Sequence, residues 1–209
     1  MRPENRPDGR TRPSFIEQAR RAQIVEAAAE TVAEVGYARA SLARIADRAG
    51  VSKSVISYHF AGGKDELLMQ MVSTFFEDTW AHMSERIDAQ TTAAGRIRAW
   101  VGSQMTYFSA HRTRFLAMVA IVDGHRLPDG SRPFADGMQQ ELDAVTEILR
   151  EGQRDGEFRA FDASGFATII IRATEGVLGR WAEDEETDLD AQTTVLLDFI
   201  DHAIRTEAP

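Results

Sequence analysis

Ser41-Leu-Ala-Arg-Ile-Ala-Asp-Arg-Ala-Gly-Val-Ser-Lys-Ser-Val-Ile-Ser-Tyr-His-Phe60 is the stretch whose reading decides the fold. It predicts two short helices joined by a tight turn. Ile45, Ala46 and Ala49 give the first helix an apolar face. Gly50 suits the left-handed residue that reverses the chain, and Val51 is apolar enough to wedge between the helices. Ser52 is a good N-cap for the second helix, which turns Ile56 inward and ends at Phe60. Lys53, Ser54, Ser57, Tyr58 and His59 fall on its other faces. A helix too short to be stable alone, yet covered with hydrogen-bonding side chains, suits insertion into a DNA major groove. An ordinary helical hairpin is the alternative.

Upstream, Ser14-Phe-Ile-Glu17 has the form of a capping box. The helix it starts carries Ile24, Val25, Ala28, Val32 and Val35 at helical spacing, and Gly36 is placed to end it. Tyr37 then packs the connection to the helix pair. Residues 1–13 have no apolar period and read as a disordered basic arm. Its Arg2, Arg6, Arg10 and Arg12 either follow a minor groove or form a plain solvated tail.

Downstream, Asp65 and Glu66 complement the positive end of a long helix near 65–89. Gly63-Lys64 is not a phosphate-binding loop, because Tyr58 stands where the earlier glycine belongs and Asp65 where the hydroxyl residue belongs. Ile97, Trp100, Val101, Gln104, Met105 and Phe108 form an apolar stripe that Phe115, Leu116, Val119 and Val122 continue. Leu127-Pro-Asp-Gly130 predicts a turn, and Pro133 suits the first position of the next helix. Helices near 162–182 and 188–206 complete the chain, with the acidic run Glu183–Glu186 as a solvated loop between them. No alternating segment and no repeat is present. The fold class is all-α, with about nine helices: a three-helix DNA-binding head over 14–64 and a larger body over 65–209.

Composition narrows the function. The 209 residues hold no cysteine, which excludes disulfides, thiolate metal sites and cysteine nucleophiles. No apolar run is long enough to span a bilayer and no signal peptide is visible, so a cytoplasmic protein is expected. The net charge of −9 argues against nucleic acid until it is divided. Residues 1–64 carry 11 Lys and Arg against 7 Asp and Glu (+4), and the remainder 13 against 26 (−13). A basic head on an acidic body lets one end approach phosphates. The histidines at 82, 111, 125 and 202 lack paired ligand spacing, so no metal site and no cofactor are expected.

Over residues 20–72 the chain resembles the TetR (tetracycline-repressor) family of bacterial transcription regulators. The resemblance rests on Gly36-Tyr37, Ser41, Ile45-Ala46, Ala49-Gly50-Val51-Ser52, Tyr58-His59-Phe60, Lys64 and Glu66-Leu67-Leu68, in one register. Beyond residue 90 only the number, lengths and order of helices agree. The family usually has two residues between the Phe and the Lys, whereas Ala61-Gly62-Gly63 makes three and displaces Lys64. Ser57 stands where the family often has an aromatic residue.

The resemblance implies a homodimer paired through the last two helices, which sets two recognition helices on a palindromic double-stranded operator. A small apolar or aromatic effector in the body would shift the long helix and release the DNA. Ser41 and Ser52 are then expected on phosphates besides capping their helices, Lys53 and Ser54 at base edges, Arg44 and Lys64 on the DNA backbone, and Ser57, Tyr58 and His59 in the same interface. For Tyr58, packing against the head is the alternative. Trp80, Met83, Trp100, Met105, Tyr107, Phe108, Phe115, Met118 and His125 are candidate pocket residues, although such residues at helical spacing also read as plain core. Arg172 and Glu175 either orient a polar group of the effector or form a surface ion pair. An enzyme is not expected, since no nucleophile–base–orienter set is visible. An all-α small-molecule-binding protein or enzyme that kept the fold without operator binding is the competing reading.

Overall fold

The structure is a computed structural model that describes residues 14–127, 130–131, 133–184 and 186–206. Among these it holds nine helices and no named strand. The 1–13 arm and Pro128–Asp129 of the expected turn lie outside the described residues. Six of the helices, those starting at Phe15, Leu42, Lys53, Ala93, Ala163 and Leu189, begin where a side chain accepts from an otherwise unsatisfied backbone N–H group. Helix α1 (Phe15–Val35) opens with the capping box: Ser14 Oγ accepts from the Glu17 amide, and the Glu17 carboxylate accepts from the Ser14 amide. Gly36, at φ 77°, ends it. Helices α2 (Leu42–Ala49) and α3 (Lys53–His59) are capped by Ser41 and Ser52.

The long helix α4 (Gly63–Asp88) starts two residues earlier than its acidic pair suggests. The Glu66 carboxylate accepts from the Gly62 amide at 2.6 Å, and Gly63 takes φ 71°. The apolar stripe downstream divides at His111, whose φ −125° and ψ 37° are not helical, into α5 (Ala93–Ala110) and α6 (Arg112–Gly124). Pro133 does not open the next helix. Helix α7 (Ala135–Arg154) begins behind Phe134, which sits in the left-handed region at φ 67°. Helices α8 (Ala163–Glu183) and α9 (Leu189–Ile204) are capped by Asp162 and Asp188. No described helix is long and apolar enough to cross a membrane.

One continuous apolar core runs from Ile24 to Ile204. Helix α1 packs on α2 and also along α4 and α6, so the three-helix head is seated on the body through its own first helix. Helix α5 lies against α4, α7 and α9, and α8 joins α7 to α9. The first turn of α5 receives a remote cap. Glu157, in the connection after α7, accepts from the Ala93 and Ala94 amides at 3.1 Å each.

Candidate nucleic-acid interface

The α2–α3 pair is built around its turn. Gly50, left-handed at φ 63°, donates its amide to the end of α2, and the Val51 amide donates to the Ala46 carbonyl at 3.0 Å. Ile45, Ala46, Ala49, Ile56 and Phe60 are buried. That burial fixes the rotation of α3, and the face left to solvent carries Lys53, Ser54, Ser57 and Tyr58. His59 is half-buried. Ser41 and Ser52 are exposed at the helix starts they cap, and Arg44 projects from α2 into solvent. Ser52 Oγ and Ser54 Oγ share a hydrogen bond of 2.7 Å.

Residues that the sequence did not single out hold this surface in place. Gln23 on α1 donates to the Ala49 carbonyl at 2.8 Å, closing the end of α2. Arg21 donates to the His59 carbonyl at 2.5 Å and lies over the Phe60 ring at 4.2 Å, closing the end of α3. Two side chains two residues apart on α1 therefore each satisfy a carbonyl at the end of one partner helix. Their signal in the sequence is a polar residue on the side of α1 that faces the pair, which pattern alone cannot tell from solvated surface.

Tyr58 stands 74% exposed, its hydroxyl donating to Glu17 Oε1 at 3.3 Å and its ring edge-on to His59. It does not pack into the head. Ile16, Glu17, Arg20, Ser54, Val55, Tyr58 and His59 line a shallow open groove of about 350 Å³ between the start of α1 and α3. The Ser14 amide and hydroxyl hold the Glu17 carboxyl below its usual range, with Tyr58 adding to the effect.

Lys64 points elsewhere. Its ammonium donates to the Tyr37 carbonyl at 2.7 Å and lies over the Tyr37 ring at 4.4 Å, half-buried at the junction of head and body. Burial there pushes the ammonium below its usual range, against the pull of Asp65. The extra residue before Lys64 is absorbed by left-handed Gly63.

In the body, Met83, Trp100, Met105, Tyr107, Phe108, Phe115 and Met118 are all buried. They pack on one another: Phe75 stacks on Phe108 at 5.4 Å and Phe108 on Phe115 at 4.8 Å, and Phe115 meets Trp181 at 5.8 Å. An aromatic ladder thus crosses from α4 to α8. Phe75 and Trp181 belong to it as much as the residues expected from sequence. Four expected pocket residues lie apart from this ladder, Arg172 and Glu175 in the surface ion pair that was their alternative reading. Trp80 is 55% exposed on α4, while Thr79 and Met83 in the same turn are buried. Arg172 and Glu175 pair with each other at 2.5 Å on the solvent side of α8. His125 closes the end of α6 against Tyr37 instead of lining the interior.

Residues 24–71 match the family model described as bacterial regulatory proteins, tetR family. A transcriptional regulator named BetI from Paraburkholderia phytofirmans, of the helix-turn-helix type, is 33% identical over 193 residues, covering 89% of this chain and 94% of its own. A second, BetI 1 from Chromohalobacter salexigens, is 53% identical over 53 residues, which span only 25% of this chain and 26% of that protein. Among solved structures, the fatty acid degradation regulator FadR from Bacillus halodurans superposes with a TM-score of 0.78 at 20% identity, covering 94% of this chain and all of that one. The regulator PfmR from Thermus thermophilus gives 0.75 at 20% identity, covering 86% of this chain and 97% of its own. These two likenesses bear on the fold alone.

Proposed function

Because the chain belongs to the TetR family of bacterial transcriptional regulators, we propose that it works in the cytoplasm as a ligand-responsive repressor, binding a palindromic operator as a homodimer. The observation that carries this reading is the outward row on α3. Lys53, Ser54, Ser57 and Tyr58 share the solvent face of a helix whose opposite face is locked into the core. Lys53 and Ser54 are assigned to base edges. Ser41, Arg44, Ser52, Ser57, Tyr58 and His59 are assigned to phosphates and flanking groups. Lys64 joins them once its ammonium leaves the Tyr37 carbonyl. Residues 14–64 are assigned as the DNA-binding unit and 65–209 as the effector and dimer unit.

Two faces support the dimer. Ile169 on α8 and Val195 and Phe199 on α9 are large apolar side chains left more than half exposed. On α8, Gly176 and Gly179 have open space where a side chain would stand, which lets a partner helix approach closely. The effector assignment follows the aromatic ladder between α4 and α8, whose polarisable rings suit contact with an apolar or aromatic molecule.

Selection of genomic fragments at low salt, followed by binding measurements on the enriched sequence, tests the reading. A palindrome should emerge whose affinity falls steeply with salt. Lys53→Ala should weaken binding by about 1–3 kcal/mol and relax preference at the base pair it reads. Relaxed preference of this variant at one base pair, with the other positions still read, would support the assignment, and unchanged discrimination would overturn it.

A further inference from the structure

The end of α6 meets the head at one small joint. The Tyr37 hydroxyl, in the loop after α1, lies 2.8 Å from His125 Nδ1. The two rings stand edge-on at 5.8 Å. His125 is only 8% exposed. The residue before it is Gly124, where an added Cβ would fall 2.7 Å from Tyr37 Cδ1, so the close approach depends on that missing side chain. On the other side of Tyr37, Lys64 holds its carbonyl and covers its ring, and Asp65 lies 3.9 Å from His125 Nδ1. Burial pushes the Tyr37 hydroxyl above its usual range, with Asp65 adding to the effect, so the proton stays in the joint. Three segments therefore converge: the head loop, the first turn of α4 and the last turn of α6. The far end of α6 is tied to α8, where Arg112 donates to the Ala182 carbonyl at 3.2 Å and lies over the Trp181 ring.

We infer that His125 is a positioning residue, which through its hydrogen bond to Tyr37 sets the angle of the DNA-binding head on the body and hence the spacing of two heads in the dimer. The inference rests on the operator-binding dimer proposed above. Helix α6 spans from the buried side of the end of α8, whose opposite side is the proposed dimer face, to the loop that starts the helix pair. The Tyr37–His125 bond is the polar contact at its head end, backed by two rings and a glycine shaped to admit them. Deleting either partner leaves α3 folded, since its core and caps lie elsewhere. What is lost is the tie at the end of α6 that holds the head loop at one angle, while α1 stays packed on α4 and α6 and paired through Glu26 with Arg114.

The test separates spacing from folding. His125→Phe and Tyr37→Phe each keep a ring and delete the bond. Each should lower affinity for the selected palindrome by about tenfold, and the double variant should lose no more than either single one. Affinity for an isolated half-site, which one head engages alone, should stay at the wild-type value. His125→Asn, which presents a polar atom near the position of Nδ1, should recover most of the palindrome affinity. Loss of half-site and palindrome affinity in equal measure, or additive losses in the double variant, would overturn the inference. The ¹⁵N resonance of His125 Nδ1 gives a reading without DNA: it should move in Tyr37→Phe, and an unmoved resonance removes the bond itself. If the wild-type chain enriches no palindrome while that resonance does move, the operator reading fails and the spacing role falls with it, although the bond stands.

Discussion

At the scale of single residues, two buried or half-buried titrating groups act on stability in opposite directions. His82 on α4 packs against Tyr107, and its buried Nε2 has no hydrogen-bond partner among the described residues. Burial, then the charges of Arg86 and His111, push its pKa below the ordinary 6.5. The neutral ring is favoured in the folded chain, so stability is in place above that value and is lost as the pH falls below it. Denaturant unfolding at pH 7.5 and 5.5 should show a drop that His82→Gln flattens. Glu141 on α7 is the reverse case. Burial raises its pKa above 4.5, against the hydrogen bond from Gln104. Its contribution is present below that value and lost as the pH rises through the folded-state pKa. Glu141→Gln should therefore raise the unfolding midpoint at pH 7 and give little gain near pH 4; an equal gain at both would reject burial as the cause. Gly50 is a backbone case: at φ 63° a Cβ strains the turn, and Gly50→Ala should cost about 1–2 kcal/mol in the same measurement.

Among elements, α3 is the one that depends most on its ends. Seven residues cannot hold a helix unaided, so its N-cap matters more than in a long helix. Ser52→Ala should cost about 1 kcal/mol of stability, seen as faster hydrogen exchange in α3 with α4 unchanged. The caps and the burial of this pair were legible in the sequence, since Ser41, Gly50, Ser52, Ile45 and Ile56 each act through their own neighbourhood. The capping box at Ser14 and the stop at Gly36 were legible for the same reason. Contacts across the fold were not. Nothing local to Lys64 tells that its ammonium turns to a carbonyl 27 residues earlier. Nor does the spacing of Trp80 show that its side of α4 stays in solvent, because an apolar stripe gives a period and not a partner. Pro133 does not serve as the first helical residue because left-handed Phe134, held against Phe76 at 5.5 Å, intervenes, and no turn residue there announces it. The solvent-facing row of α3 was thus readable almost whole; of the residues behind it Arg21 and Gln23 were not, and Tyr37 was legible as packing the connection but without its partners His125 and Lys64.

On the scale of the whole molecule, the charge division and the exposed faces of α8 and α9 make predictions that no single helix carries. Phe199→Glu places a charge on an apolar side chain 57% exposed on α9. It should turn a dimer into monomers in sedimentation velocity while leaving the far-ultraviolet spectrum unchanged, and a persistent dimer would move the interface away from α8 and α9. The remote cap on α5 bears on the order in which the chain acquires its shape. The two amides at Ala93 and Ala94 are satisfied by a carboxylate that follows them by 64 and 63 residues. The Arg159 amide two positions later donates to the Ile204 carbonyl, almost at the last helix turn. On a ribosome, residues 14–64 emerge with every cap of α1, α2 and α3 already in hand. The start of α5 instead waits for Glu157, whose segment is held locally by amides on the Gly152 carbonyl and gains its tie to α9 last. The caps of residues 14–64 are therefore all local to that segment, whereas the start of α5 depends on a carboxylate more than sixty positions downstream.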